Sequence, residues 1–507
     1  MKRPSFITLL RTLVVSLVLA SVFPPAVTAR VEIPRNDLAA KAIKISITAP
    51  IRFKDPLDLT FIEEWEMSSA SHDTLVANTE LRNLRGVLAD RWEMSAGGDQ
   101  MDIFLKPGLK FSDGSPLDAF SVEYSFKRLL LRDKESSLAI TRCLAPAPGF
   151  SSITDRHPSI ILRSPTRVTL LLKGCGKVLL NEMVQPHYAI VSPKVVDRLK
   201  VKSASVVSGA FIPVYSDGLL RLYPNLNNWR FRSGRYRVPA THIEITSTKS
   251  PKGFIGIADA TRLREAADIR EFVKSGYSDS LSLPVMTWYL TIPTKRFNAD
   301  EGHVEILKVL RAGLSPKRVS ALTNNDLEIA TDTFFPKEMN CGSATASTEL
   351  PKALPKPYPQ LAFVRHRTGE DEKILPDLVA QAAALGFQTR IVDDLASVST
   401  GEVPVVISRL FVGDDLGYVF SLIFDKFKSI PDPGGQFVKL RRELENAGPE
   451  KARAALTKMC ASFAGANYVP VAHRKVAFVY KDARLSKLFS RQTGNFNYLN
   501  LIEGGME

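Results

Sequence analysis

"LADRWEMSAGGDQMDIFLKPGLKFSDGSPLDAFSVEYSFKRLL", residues 88–130, changes its hydrophobic period partway along. Met101, Ile103 and Leu105 alternate with polar neighbours, the period of a strand with one buried face. Ahead of them Gly97-Gly98 turns the chain and residues 87–95 supply a partner strand, so the first half reads as a β-hairpin. Asp113-Gly114 then marks a tight turn, Pro116 suits a helix start, and Asp118 stands where an N-cap or first-turn acid belongs. From Ala119 the apolar residues Val122, Phe126, Leu129 and Leu130 recur at helical spacing. A hairpin feeding an amphipathic helix is scaffold: it carries no nucleophile, base or ligand set of its own.

Outward from this segment the same two periods alternate. "KAIKISITAP" (41–50), "RVTLLLKG" (167–174), "LLRLYPN" (219–225), "THIEITST" (241–248) and "YVPVAH" (468–473) read as strands. "DPLD" (55–58) reads as a turn, and "PKVVDRLKV" (193–201) as a helix. "HVEILKVLRAGLSPKRVSALT" (303–323) predicts two helices, the first ended by Gly313 and the second begun by Ser315-Pro316. "PDLVAQAAALGFQTRIV" (376–392) is a helix stopped at Gly386 and followed by a strand, and "PEKARAALTKMCASFAG" (449–465) repeats the helical pattern. The segment 341–360, with four prolines, is a long loop. Strands and helices mixed without a strict alternating repeat predict an α/β or α+β architecture.

A chain of 507 residues with 45% hydrophobic composition exceeds one ordinary core and implies two or three domains. It opens with Lys2 and Arg3, an apolar run from Phe6 to Phe23, and the small-residue site Val27-Thr28-Ala29. That is the form of a secretory signal peptide over residues 1–29; a membrane anchor is the alternative, and no Cys follows the run for a lipid to be attached. In an oxidising compartment Cys143, Cys175, Cys341 and Cys460 allow three disulfide pairings. Nearness in sequence favours Cys143 with Cys175, leaving Cys341 with Cys460; four separate thiols are the alternative. No CxxC and no zinc-type Cys/His spacing occurs, so neither cofactor nor metal is expected. The formal net charge is +14, yet Lys and Arg are spread along the chain without a basic run interleaved with aromatics, which argues for a solvated basic surface and against nucleic acid as a partner.

The opening segment resembles the hallmark stretch of the family 5 extracellular solute-binding proteins, the oligopeptide and dipeptide receptors of ABC importers. Leu88, Ala89, Trp92, Glu93, Phe104, Leu105, Phe111, Asp113, Gly114, Pro116, Ser125, Phe126, Lys127 and Arg128 carry the likeness in order. Weaker likeness runs on through "VSGAFIPVYSDGLLRLYPNLNNW" (207–229), "WYLTIPT" (288–294) and the helices that follow. Departures are Val207 to Phe211 in place of the family's Gly-Thr-Gly-Pro-Tyr, Ser121 in place of an Asp, and Pro293 where members commonly have Asn.

The resemblance implies an α/β, two-lobed periplasmic binding protein fold of type II, enlarged by an extra subdomain, with a hinge between the lobes. Lobe I would comprise 30–63, 205–250 and 475–507, the attached subdomain 64–204, and lobe II 251–474. It further implies a monomeric, soluble periplasmic protein that captures a peptide or similar small solute and delivers it to an ABC transporter permease; a metal chelate is another cargo carried by relatives. In "SRLFVGDDLGYVFSLIF" (408–424), Phe411 falls at the family's aromatic position and Asp414 at the acid that pairs with a peptide α-amino group, while Trp288 lies on the strand entering the ligand lobe. Asp414 and Asp415 as ordinary turn acids before Gly417 are the structural alternative. A sensor or chaperone-like binder that has lost transport is the rival on the same fold, motivated by the altered Val207–Phe211 segment. A secreted hydrolase is the rival of another class, but the chain has no G-x-S-x-G and no H-E-x-x-H, and its seven histidines are scattered.

Overall fold

A computed structural model describes residues 41–48, 51–59, 62–78, 84–133, 138–145, 147–216, 218–232, 234, 236–238, 240–248, 250–263, 266–293, 301–322, 327–336, 357–365, 371–411, 454, 457–458, 468–491 and 495–502. Three large sheets, each with its own apolar core, and two two-stranded ribbons organise them.

The opening segment folds as its periods dictate. Ala89–Met94 and Gln100–Leu105 pair antiparallel and are extended by Arg167–Leu171 and Ile160–Ser164 into a four-stranded sheet. The alternating residues Met101, Ile103 and Leu105 are buried against Val122, Phe126 and Leu129 of the helix Ala119–Arg132. Asp118 accepts the Ser121 N–H while the Ser121 hydroxyl accepts the Asp118 N–H, a reciprocal cap in which Ser121 does what a capping acid would otherwise do. In this subdomain Cys143 and Cys175 form a disulfide that ties the short helix Ala139–Cys143 to the residue preceding the helix Gly176–Glu182.

The stretch 193–201 differs from the helix its composition suggests. Pro193–Val195 is a single 3-10 turn, and Val196–Asp197 pairs with Lys200–Val201 across Arg198 and Leu199, both at positive φ. Two adjacent β-branched valines and a two-residue turn outweigh the helical spacing. After the helix Glu301–Gly313, the second expected helix is likewise reduced to the 3-10 turns Pro316–Arg318 and Ser320–Leu322.

A seven-stranded sheet runs in the spatial order Phe211–Ser216, Leu219–Pro224, Ile243–Ser247, Ile43–Ile47, Ala260–Leu263, Ala477–Tyr480, Ser278–Leu281. Its core gathers Ile45, Ile243, Phe211 and Phe478 with Met67 and Ala70 of the helix Ile62–Ser71 and Tyr498 from near the C-terminus. A six-stranded sheet runs Glu328–Ala330, Val469–Arg474, Met286–Thr291, Val403–Phe411, Leu361–Val364, Thr389–Val392. The helices Glu301–Gly313 and Leu375–Ala384 contribute to its core through Leu307, Leu310 and Leu378. These two sheets are the centres of the two lobes. Within 251–285, the strands Ala260–Leu263 and Ser278–Leu281 pair into the first sheet, and the chain enters the second at Met286.

Candidate functional site

Two stretches of chain pass side by side from one lobe to the other. Ser278–Leu281 pairs antiparallel with Ala477–Tyr480 in the first sheet, and their continuations Met286–Thr291 and Val469–Arg474 pair antiparallel in the second. Between the sheets the pairing persists: Ser282 donates its N–H to the Val476 carbonyl at 2.9 Å, Val476 donates its own to the Ser282 hydroxyl at 2.8 Å, and Val285 donates to the Arg474 carbonyl at 2.9 Å. Pro284 has no N–H to add to this ladder. A third strand of support comes from Arg491, whose carbonyl accepts the Leu283 N–H and whose Nε donates to the Leu281 carbonyl. The result is one antiparallel ribbon through both lobes, with sparse pairing at the crossing and a register shift between Trp288 and Tyr289 inside the second sheet.

Of the expected ligand residues, Trp288 and the backbone of Phe411 lie at the end of the six-stranded sheet next to this crossing. Trp288 lies in the strand Met286–Thr291 and is only 2% exposed, with its Cα paired to Arg409 on one side and Ala472 on the other. The Arg409 guanidinium lies 5.6 Å from the indole centroid and that of Arg474 lies 5.2 Å away. Each such contact stabilises a cation by about 0.5–2 kcal/mol, more as water is excluded. Arg474 also pairs with Glu328 across the edge of the sheet at 3.2 Å. The Trp288 Nε1–H is buried without an acceptor. Phe411 ends its strand with its backbone opposite Met286, at the crossing end of the sheet. Asp414, Cys341 and Cys460 lie outside the described residues. Sequence reasoning missed Arg409, Arg474 and Glu328; Arg409 stands two residues before Phe411 in a stretch already singled out, but nothing local marks the other two.

The opposite face of the same strands is aromatic. Tyr289 packs against Phe334 at 5.1 Å and Tyr468 at 4.9 Å between ring centroids, and Thr287 donates to the Phe334 carbonyl. Burial pushes the Tyr289 and Tyr468 phenols well above their ordinary range, so they act as neutral groups. His473 is buried within the strand Val469–Arg474. Among the described residues no three His, Cys, Asp or Glu side chains come together as metal ligands would, and no helix is long and apolar enough to cross a membrane. What the described residues bring together beside the crossing is guanidinium charge, a buried indole and packed aromatic side chains.

Comparison with known proteins agrees with that geometry. Residues 83–250 match the family model "Bacterial extracellular solute-binding proteins, family 5 Middle". No curated protein matches the sequence. Among solved structures, NikA from Brucella suis in complex with Fe(III)-EDTA superposes with a TM-score of 0.70 at 15% identity, over 91% of this chain and 100% of that one. The dipeptide binding protein from Pseudoalteromonas sp. SM9913 in complex with Met-Leu gives 0.70 at 14% identity, over 92% and 100%. OppA from Haemophilus influenzae, complexed with RPPGFSPFR, gives 0.68 at 14% identity, over 91% and 99%. At such identities the superpositions establish the two-lobed periplasmic binding protein fold, and the matched family is one of binding proteins, not enzymes. Residues 83–250 thus match the family 5 extracellular solute-binding proteins, and the chain shares the two-lobed periplasmic binding protein fold.

Proposed function

We propose that the protein is exported by way of residues 1–29, works as a soluble periplasmic monomer, and captures a peptide or similar small solute between its lobes for delivery to an ABC transporter permease. The observation that carries this reading is the antiparallel ribbon through both sheets, whose ladder gives way at 282–285 and 475–476 to a few isolated bonds between the lobes. Such a crossing lets two rigid bodies rotate about a few residues, and closure moves a solute from water into a protein-lined cleft. In this reading Asp414 pairs with the solute's α-ammonium, Phe411 packs beside it, and Trp288 with its flanking arginines forms the floor of the lobe II side. A buried ammonium needs an anionic partner, because leaving it unpaired costs several kcal/mol. Peptides complexed with proteins of this fold support the choice of cargo, and the Fe(III)-EDTA complex keeps a metal chelate as the second candidate.

Thermal shift against a peptide library, followed by X-ray scattering with each hit, tests the reading: a true ligand raises the melting temperature by mass action and reduces the radius of gyration. A tight ligand that leaves the radius unchanged would remove closure from the account. For a peptide with a free N-terminus, D414N is expected to lower affinity by about 2–5 kcal/mol in calorimetry, the range for breaking a buried charge pair. Unchanged affinity would return Asp414 to the role of a turn acid.

A further inference from the structure

His72 to Leu75 is the stretch along which the subdomain is sewn to the first lobe. On one side the stretch is anchored in the subdomain, where the Asp73 carbonyl accepts the Ile190 N–H, the Leu75 carbonyl accepts those of Val87 and Ala89, and Leu75 is part of the core. On the other side the Ser71 carbonyl accepts the Gly209 N–H at 2.9 Å, and the Asp73 N–H donates to the Ser208 hydroxyl at 3.0 Å. The His72 imidazole stands at the head of this seam, 3% exposed.

Its protonation state follows from its neighbours. The Ser71 hydroxyl has one proton and stands 2.8 Å from the Met67 carbonyl, which can only accept. At 3.0 Å from His72 Nδ1 the same hydroxyl oxygen must then act as acceptor, so Nδ1 carries the ring's proton. Nε2 is left as a bare lone pair, buried and without a donor. A second proton can enter only there, where it would create a buried charge and an N–H with no acceptor. The charged groups that face the ring are Asp55 from the loop before its helix, Arg128 from the helix Ala119–Arg132, and Asp73 beside it. Both carboxylates are already engaged: Asp55 by Arg128 and Arg132, Asp73 by Arg230 and Asn228.

We propose that His72 is an acid-operated latch, whose protonation at Nε2 opens the seam between the subdomain and the first lobe while the ribbon between the lobes stays paired. Burial, opposed by Asp55, reinforced by Arg128 and opposed again by Asp73, pushes the imidazole down from 6.5 to about 4. The folded state thus prefers the neutral ring. The stability this represents is complete above pH 6.5, drains away as pH falls toward 4, and raises the opening equilibrium of the seam by up to roughly 300-fold over that window. The Asp55 carboxyl is held below its ordinary value, so its own protonation comes at lower pH and outside the window.

Amide hydrogen exchange on the full chain, read as protection factors from pH 7 down to about 4, tests the latch. The amides of Gly209 and Asp73, whose bonds to Ser71 and Ser208 cross the seam, are expected to lose protection by up to roughly 300-fold in the wild type, with Ser282 and Val285 keeping theirs. In H72N, whose amide can still donate to the Ser71 hydroxyl but does not titrate, the seam amides are expected to show no such loss. H72F, which keeps a planar ring without a titrating nitrogen, is the second variant should H72N fail to fold. A wild-type profile that either variant reproduces, or a His72 ring that titrates near 6.5 in the folded protein by NMR, would overturn the proposal.

Discussion

The subdomain and lobe II are both attached to lobe I, but by opposite means. The subdomain is held by buried charges from residues far apart in sequence: Asp55 accepts from Arg128 at 2.8 Å and 2.9 Å, from Arg132, and from the N–H groups of Leu57 and Val201, while Asp73 accepts from Arg230 at 2.7 Å. Burial alone would raise the Asp55 carboxyl, but Arg128 and the backbone donors hold it below its ordinary value. Lobe II is joined by the ribbon, where the crossing is held by backbone bonds, the Ser282 hydroxyl and Arg491, with Leu327 packed against Leu263, Phe272 and Val479. A buried ion pair tolerates little displacement, because any separation exposes an uncompensated charge. A main-chain ladder tolerates twist. The difference separates a joint held shut at neutral pH from one able to turn.

The largest expected effect comes from removing a charge at the shut joint. R128M leaves Asp55 buried with one guanidinium fewer and should cost about 3–5 kcal/mol in urea unfolding. A loss below about 1 kcal/mol would mean that apolar packing, not charge, holds the subdomain. Next is G209A. A Cβ at Gly209 would lie 2.4 Å from the Ser71 carbonyl carbon and 2.6 Å from the His72 nitrogen, all backbone atoms that cannot step aside. A cost of about 1–3 kcal/mol is expected by the same measurement, as for overpacked cores. The smallest is S282A at the crossing, which removes one hydroxyl from the ribbon and should cost about 1 kcal/mol. If S282A were as damaging as R128M, the crossing would be a rigid clamp and the contrast between the joints would fail.

Local pattern made the first half of this architecture legible. The hairpin at 88–105, the cap at Asp118 and the stop at Gly386, with φ at +98°, all follow from residues a few positions apart. The strand expectations at 41–50 and 241–248 correspond to Ile43–Ile47 and Ile243–Ser247, but nothing in either says that they pair in parallel with each other. The altered segment Val207 to Phe211 illustrates the limit from the other side: it departs from the family pattern yet keeps Gly209, the position where close backbone approach leaves no room for a side chain. The chain's entry into the second sheet at Met286 was not readable, because Ala260–Leu263 and Ser278–Leu281 look like any strands until their partners are known. Of the ligand corner, Trp288 and Phe411 came from resemblance, whereas the convergence of Arg409 and Arg474 on one indole depends on register between three strands.

The strand order of the first sheet also sets a timetable for synthesis. Ala477–Tyr480 sits between Ala260–Leu263 and Ser278–Leu281, so both neighbours wait with an open edge until nearly the whole chain has been made. The four-stranded sheet, by contrast, draws all its strands from 89–171 and can close early. Pairings that join distant parts of a chain form slowly, since loop closure must precede any reward in contacts. The nascent protein is therefore expected to carry a finished subdomain on an unfinished lobe, and a chain truncated before residue 477 would keep the first sheet's inner edges exposed to unwanted partners.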